Sequence, residues 1–247
     1  MPAKSFRILS NELFSRGINT FTMSYYNTGG SKKINWFHVD SKTYQYNFAD
    51  AKNEIERKYY STKNLMLVGY SRGGRVVQNY LATAEKPMKA VLIGSNFSVR
   101  DKSSNKYICS MKDEGWYSYL TSYGPNNQMR WKDPNYTLEK YFWDRKMSTQ
   151  SIKPSVDECM FSLMEPIPIS IYDKISIDYS SYRFPHVIRV IVNKKDTTRF
   201  PHYQKSCAKA LKKYTKNVEV VEMDGGHLAP LVNVKISADL ILGVINQ

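Results

Sequence analysis

Along this chain, near-continuous apolar runs of strand length alternate with segments in which apolar residues recur every three or four positions. The runs are residues 19–25 (NTFTMSY), 64–69 (NLMLVG), 89–94 (KAVLIG), 187–192 (VIRVIV) and 218–223 (VEVVEM). A strand reads this way when helices cover both faces of its sheet and neither face meets water. Helical spacing predicts helices over 6–16, 48–60, 75–85, 201–216 and 232–245, with Gly17 and Pro87 placed as stop signals. The alternation predicts an α/β fold: a mostly parallel sheet flanked by helices.

Residues 99–185 break the alternation. They carry Trp116, Trp131 and Trp143, many tyrosines and several prolines, and short pieces such as 138–142 (LEKYF) and 159–164 (CMFSLM) have amphipathic helical spacing. The segment is too long for a loop within a compact domain. The expected organisation is a core of residues 1–98 and 186–247, with 99–185 inserted as a mainly helical cap.

Composition narrows the function classes. A chain of 247 residues can bury a sizeable core. The first fourteen residues mix Lys4, Arg7 and Glu12 among apolar ones and do not read as a secretory signal. The longest apolar stretches, 65–68 and 240–245, fall far short of the roughly 18 residues a membrane-spanning helix requires. Cys109, Cys159 and Cys207 are far apart and odd in number, which predicts reduced thiols and a cytoplasmic location. His38, His186, His202 and His227 show no metal-ligand spacing, so neither metal nor cofactor is expected. The formal charge of +14 raises the question of a polyanion partner. Its lysines are spread along the chain, with Lys209, Lys212, Lys213 and Lys216 on what reads as the solvated face of a helix, so no specific nucleic-acid site is expected.

The chemistry concentrates at Gly69-Tyr70-Ser71-Arg72-Gly73, where a strand gives way to a helix. A serine alcohol becomes a competent nucleophile when a base, a group orienting that base and donors for the resulting oxyanion surround it. Glycines two before and two after the serine relieve crowding in a sharp strand-to-helix turn, and Gly74 allows the helix to pack closely. Without that context, Ser71 is a helix cap. His227, in the glycine-containing turn 224–230 (DGGHLAP) after the last strand, is the expected base. The acid expected to orient it is Asp196, after the strand at 187–192, with Asp101, soon after the third run, as the competing candidate.

With the elbow serine, acid and histidine in that chain order, the sequence resembles the α/β-hydrolases, GYSRGG and DGGH being the most specific motifs. The resemblance implies that Ser71 attacks an acyl carbon while His227 takes its proton and later returns it to the leaving group. Asp196 would hold the imidazole, and water would release the acid from an acyl-enzyme. It also implies an oxyanion hole formed by the backbone N–H of Arg72 and a second donor from Ala3, Lys4 or a neighbour. The family usually places two or three further strands before the helix at 6–16, and no glycine-rich His-Gly signature precedes it here. The expectation is an α/β-hydrolase fold without those first strands, either as a minimal core or with an N-terminal portion missing.

The function expected from these readings is hydrolysis of a carboxylic ester or thioester, with the cap aromatics enclosing a small-molecule acyl group. Three readings compete with it. One is an amide or peptide hydrolase with the same three residues; another is a binding or scaffold protein in which activity has decayed. The third is a polyanion-binding surface around 130–132 (RWK) and 140–146 (KYFWDRK).

Overall fold

The computed structural model describes residues 6–22, 49–50, 52–58, 65–71, 73–95, 99–100, 107–109, 184–196, 201–215 and 217–245. Helix α1 spans Arg7–Ser15, strand β1 Met66–Tyr70, helix α2 Gly73–Thr83 and strand β2 Lys89–Ile93. Short strands β3 (Val99–Arg100) and β4 (Tyr107–Cys109) follow, then β5 (Val187–Asn193), α3 (Pro201–Leu211), β6 (Val218–Met223), α4 (Ala229–Val232) and α5 (Val234–Leu242). Residues 49–50 and 52–58 are also helical, within the helix expected at 48–60.

Among the described residues, four strands form a parallel sheet in the order β1-β2-β5-β6. Its two faces follow from the two-residue period of a strand. Ala90, Leu92, Ile188, Val190 and Val192 pack on one face with Val77 and Leu81 of α2 and Ala208 and Leu211 of α3. Val91, Ile93 and Ile191 pack on the other with Leu9 and Leu13 of α1 and Ala238 and Ile241 of α5. β2 and β5 lie inside the sheet and are buried almost throughout, which is why they read as unbroken apolar runs. Lys209, Lys212 and Lys213 are exposed, as a solvated helix face requires.

Three differences from the sequence reading have physical causes. Residues 19–22 of the first apolar run are exposed and lie in no strand, while 23–25 fall outside the described residues. The helix expected at 232–245 is α5, and a short helix that was not expected, α4, precedes it, set apart by Asn233 at φ −96° and ψ 58°. Cys207, on the buried face of α3, is disulfide-bonded, which corrects the expectation of three reduced thiols. Distance along the chain does not measure distance in the fold: α3 packs against β3 and β4 as well as β5 and β6.

β3 and β4 pair antiparallel in a sheet of their own at the start of the expected insertion. The rest of that expected cap, including Trp116, Trp131 and Trp143, lies outside the described residues. Among the described residues no helix is long and apolar enough to cross a membrane. No group of three or more His, Cys, Asp or Glu side chains among them is arranged to hold a metal ion.

Candidate active site

The site forms at the carboxyl ends of the parallel strands, where each chain segment leaves the sheet and is free to turn. At the end of β1 the turn is abrupt. Ser71 has φ +51°, the only positive φ at a non-glycine residue among those described. A side chain held in this sparsely populated region marks a turn whose surroundings over-determine it. Two glycines make the turn possible. A Cβ on Gly69 would lie 2.5 Å from the Cα of Gly74 and 2.6 Å from the carbonyl oxygen of Gly73. A Cβ on Gly74 would collide with the side chain of Ser95, whose hydroxyl donates to the Gly69 carbonyl at 3.0 Å. The Ser71 N–H donates to the Ile93 carbonyl at 2.8 Å, so the sheet ladder holds the serine after the strand has ended.

Asp196 and His227 are supplied by neighbouring strands whose exit loops are tied together. After β5 the chain turns at 193–196, closed by the Asp196 N–H donating to the Asn193 carbonyl at 3.1 Å. Within this turn the Lys194 N–H donates to Met223 at 2.9 Å and the Lys195 N–H to Gly225 at 3.0 Å. The acid turn is thereby bonded to the loop that carries the histidine. Gly225 has φ +110°, and a Cβ there would lie 2.7 Å from that of Ala229, so this loop requires glycine on both counts.

These segments bring together the three side chains singled out from the sequence. His227 Nε2 lies 3.0 Å from Ser71 Oγ, and His227 Nδ1 lies 2.8 Å from Asp196 Oδ2. His227 and Asp196 are each 2% exposed, and Ser71 is partly exposed. Because a carboxylate only accepts hydrogen bonds, the arrangement fits Nδ1–H donating to Asp196, with Nε2 accepting from the Ser71 hydroxyl. A proton taken onto Nε2 creates an imidazolium whose charge sits beside the carboxylate in a site shielded from water. That is the arrangement nucleophilic catalysis by serine requires. Asp101, Arg72, Ala3 and Lys4 lie outside the described residues.

Other residues contact this cluster without having stood out in the sequence. The Tyr70 hydroxyl donates to the main-chain carbonyl of His227 at 2.7 Å, and the two rings lie 5.1 Å apart at 34°. Asn193 Nδ2 donates to the same carbonyl at 3.5 Å. Gly94, at φ +51°, leaves room beside the cluster: a Cβ there would stand 3.1 Å from Asn193 Nδ2, 3.3 Å from Asp196 Oδ2 and 3.4 Å from His227 Nδ1. Tyr70 occupies a variable position of the serine motif, and Asn193 and Gly94 end apolar runs. Their sequence neighbourhood carries no sign of contacts made across the sheet.

No protein-family model and no curated protein matches the chain. Solved structures do. An α/β-hydrolase enzyme from a Medee basin deep-sea metagenome library is similar, with a TM-score of 0.63 at 18% identity, over 100% of this chain and 86% of the other. A methylesterase from Arabidopsis matches with a TM-score of 0.59 at 16% identity, covering 99% of this chain and 94% of its own. A serine hydrolase from the polyaromatic-hydrocarbon-degrading bacterium Cycloclasticus zankles matches with a TM-score of 0.58 at 14% identity, covering 98% and 85%. Set beside the parallel sheet and its covering helices, these likenesses identify the architecture: this chain has the α/β-hydrolase fold.

Proposed function

We propose that this chain is a serine hydrolase that cleaves a carboxylic ester or thioester through an acyl-enzyme on Ser71. The observation that carries the proposal is the placement of one imidazole within hydrogen-bond reach of both the Ser71 hydroxyl and the Asp196 carboxylate. The fold supports it, as do the methylesterase and the serine hydrolase among the similar structures.

In this reading His227 Nε2 takes the Ser71 proton as Oγ attacks the acyl carbon. The resulting imidazolium is stabilised by Asp196, and the negative charge passes to the former carbonyl oxygen. Collapse of that intermediate breaks the bond to the leaving group, which departs with the proton from His227. Water then repeats the sequence on the acyl-enzyme: His227 takes one of its protons, the hydroxyl adds to the acyl carbon, and the proton returns to Ser71 as the acid leaves. The backbone N–H of Arg72 and one from Ala3 or Lys4 are the proposed oxyanion donors, and loss of one such donor typically costs about 10²–10³ in rate. Residues 99–185 are proposed as the cap, with Trp116, Trp131 and Trp143 against the acyl group.

The test is a chain-length series of p-nitrophenyl esters and the matching thioesters, with an amide of the same acyl group alongside. Turnover of the esters that disappears in Ser71→Ala is expected. Turnover of the amide at a comparable rate would make the chain an amidase. A folded protein inert toward every substrate would leave a binding protein.

A further inference from the structure

The loop that carries His227 is tied to the acid turn at Gly225, two residues before the histidine. Gly225 and Gly226 precede the histidine, Gly225 at φ +110°, and two glycines in succession leave the backbone many conformations to lose. An imidazole that must stand at 3.0 Å from one partner and 2.8 Å from another needs its main chain fixed as well as its ring. Two buried side chains converge on the His227 carbonyl to do this, and they differ in quality. The Tyr70 hydroxyl donates at 2.7 Å, a full-strength bond, whereas Asn193 Nδ2 stands at 3.5 Å, the outer limit of one. The Tyr70 ring is itself held: it is buried, it lies tilted against the imidazole, and the Phe6 ring meets it edge-on with centroids 5.8 Å apart at 72°.

Tyr70 is also the residue before Ser71. The group that anchors the base and the group that the base must deprotonate are thus consecutive in the chain, on the last residue of β1 and the turn that follows it. We propose that Tyr70 is a positioning residue, whose hydroxyl fixes the His227 main chain so that the imidazole stays aligned with Ser71. This rests on the serine-hydrolase reading above. A displacement of about 1 Å in such a constellation can cost on the order of 10² in rate. With the 3.5 Å bond from Asn193 retained, the expected loss is smaller, about tenfold.

The experiment is a double-mutant cycle with single-turnover hydrolysis of an activated p-nitrophenyl ester, comparing Tyr70→Phe in the parent and in a His227→Ala background. Phenylalanine keeps the ring against Phe6 and His227 and removes only the hydroxyl. The expected result is a roughly tenfold lower kcat with unchanged KM in the parent, and a change under about twofold when His227 is absent, because residues acting as one unit are non-additive. An equal loss in both backgrounds would overturn the proposal and assign Tyr70 a structural role, since a smaller folded fraction lowers both rates alike. So would an undiminished rate in the parent. Ser71→Ala is run beside them: if the parent has no Ser71-dependent turnover, the hydrolase reading itself falls, an outcome distinct from either of the others.

Discussion

Among the described residues, His186 and His227 are buried at opposite ends of the same sheet, and only one of them has the surroundings of a reactive group. His227 stands at the carboxyl ends of the strands, bonded through both ring nitrogens to side chains that can exchange protons, Ser71 and Asp196. His186 stands at the amino ends, just before β5. Its Nδ1 accepts the Met88 N–H at 3.2 Å, and its carbonyl accepts the Thr215 hydroxyl at 2.8 Å. Burial lowers its pKa from the usual 6.5, a backbone hydrogen bond with Leu81 opposing the effect. Nearby Arg189 is likewise buried and committed to structure, donating to the carbonyls of Leu240 and Gly243 at the end of α5 and pairing with Glu219. Burial therefore does not distinguish the two ends. The partners do: side chains that can pass a proton at one, backbone groups and a helix terminus at the other.

Substitutions should separate the two ends by what they damage. Ser71→Ala or His227→Ala should lower kcat for an ester by about 10⁴–10⁶ with the melting temperature nearly unchanged, as steady-state kinetics and calorimetry would show. Asp196→Asn should cost about 10⁴ in kcat, against less than about twofold for Asp101→Asn; equal losses would remove Asp196 from its proposed role. At the other end the damage should be to stability alone. Arg189→Leu leaves the carbonyls of Leu240 and Gly243 without their donor, so it should destabilise by about 2 kcal/mol in urea titration with kcat per folded molecule unchanged. The smallest effect is a pH dependence of stability from His186. The unfolded chain binds a proton near pH 6.5 that the folded chain resists, so stability from this residue is full above that pH and is lost as pH falls below it. The slope is at most about 1.4 kcal/mol per pH unit, and His186→Gln should flatten it in denaturant midpoints measured from pH 7.5 to 5.

The same contrast explains what the sequence made legible. β2, β5 and β6 were readable because each is an apolar run between turns, and the serine turn because its glycines answer to local crowding at Gly69 and Gly74. His227 was readable from chain order and from its place after a strand, and the same reasoning favoured Asp196 over Asp101. The bonds from Lys194 and Lys195 that tie the acid turn to the histidine's loop were not readable. The run at 19–25 shows the limit of an apolar pattern: residues 19–22 have the composition of a strand and are exposed outside any. Contacts across many residues left no local trace at all, among them the Tyr70 hydroxyl on the His227 carbonyl and the disulfide at Cys207.

Treating the folded protein with a fluorophosphonate and mapping the adduct by peptide mass spectrometry would show whether Ser71 is a nucleophile activated by His227. A single adduct on Ser71 is expected, formed roughly a hundredfold or more slower in a folded His227→Ala variant. No adduct on folded protein, or one on Ser71 that forms equally fast without His227, would contradict this reading of Ser71.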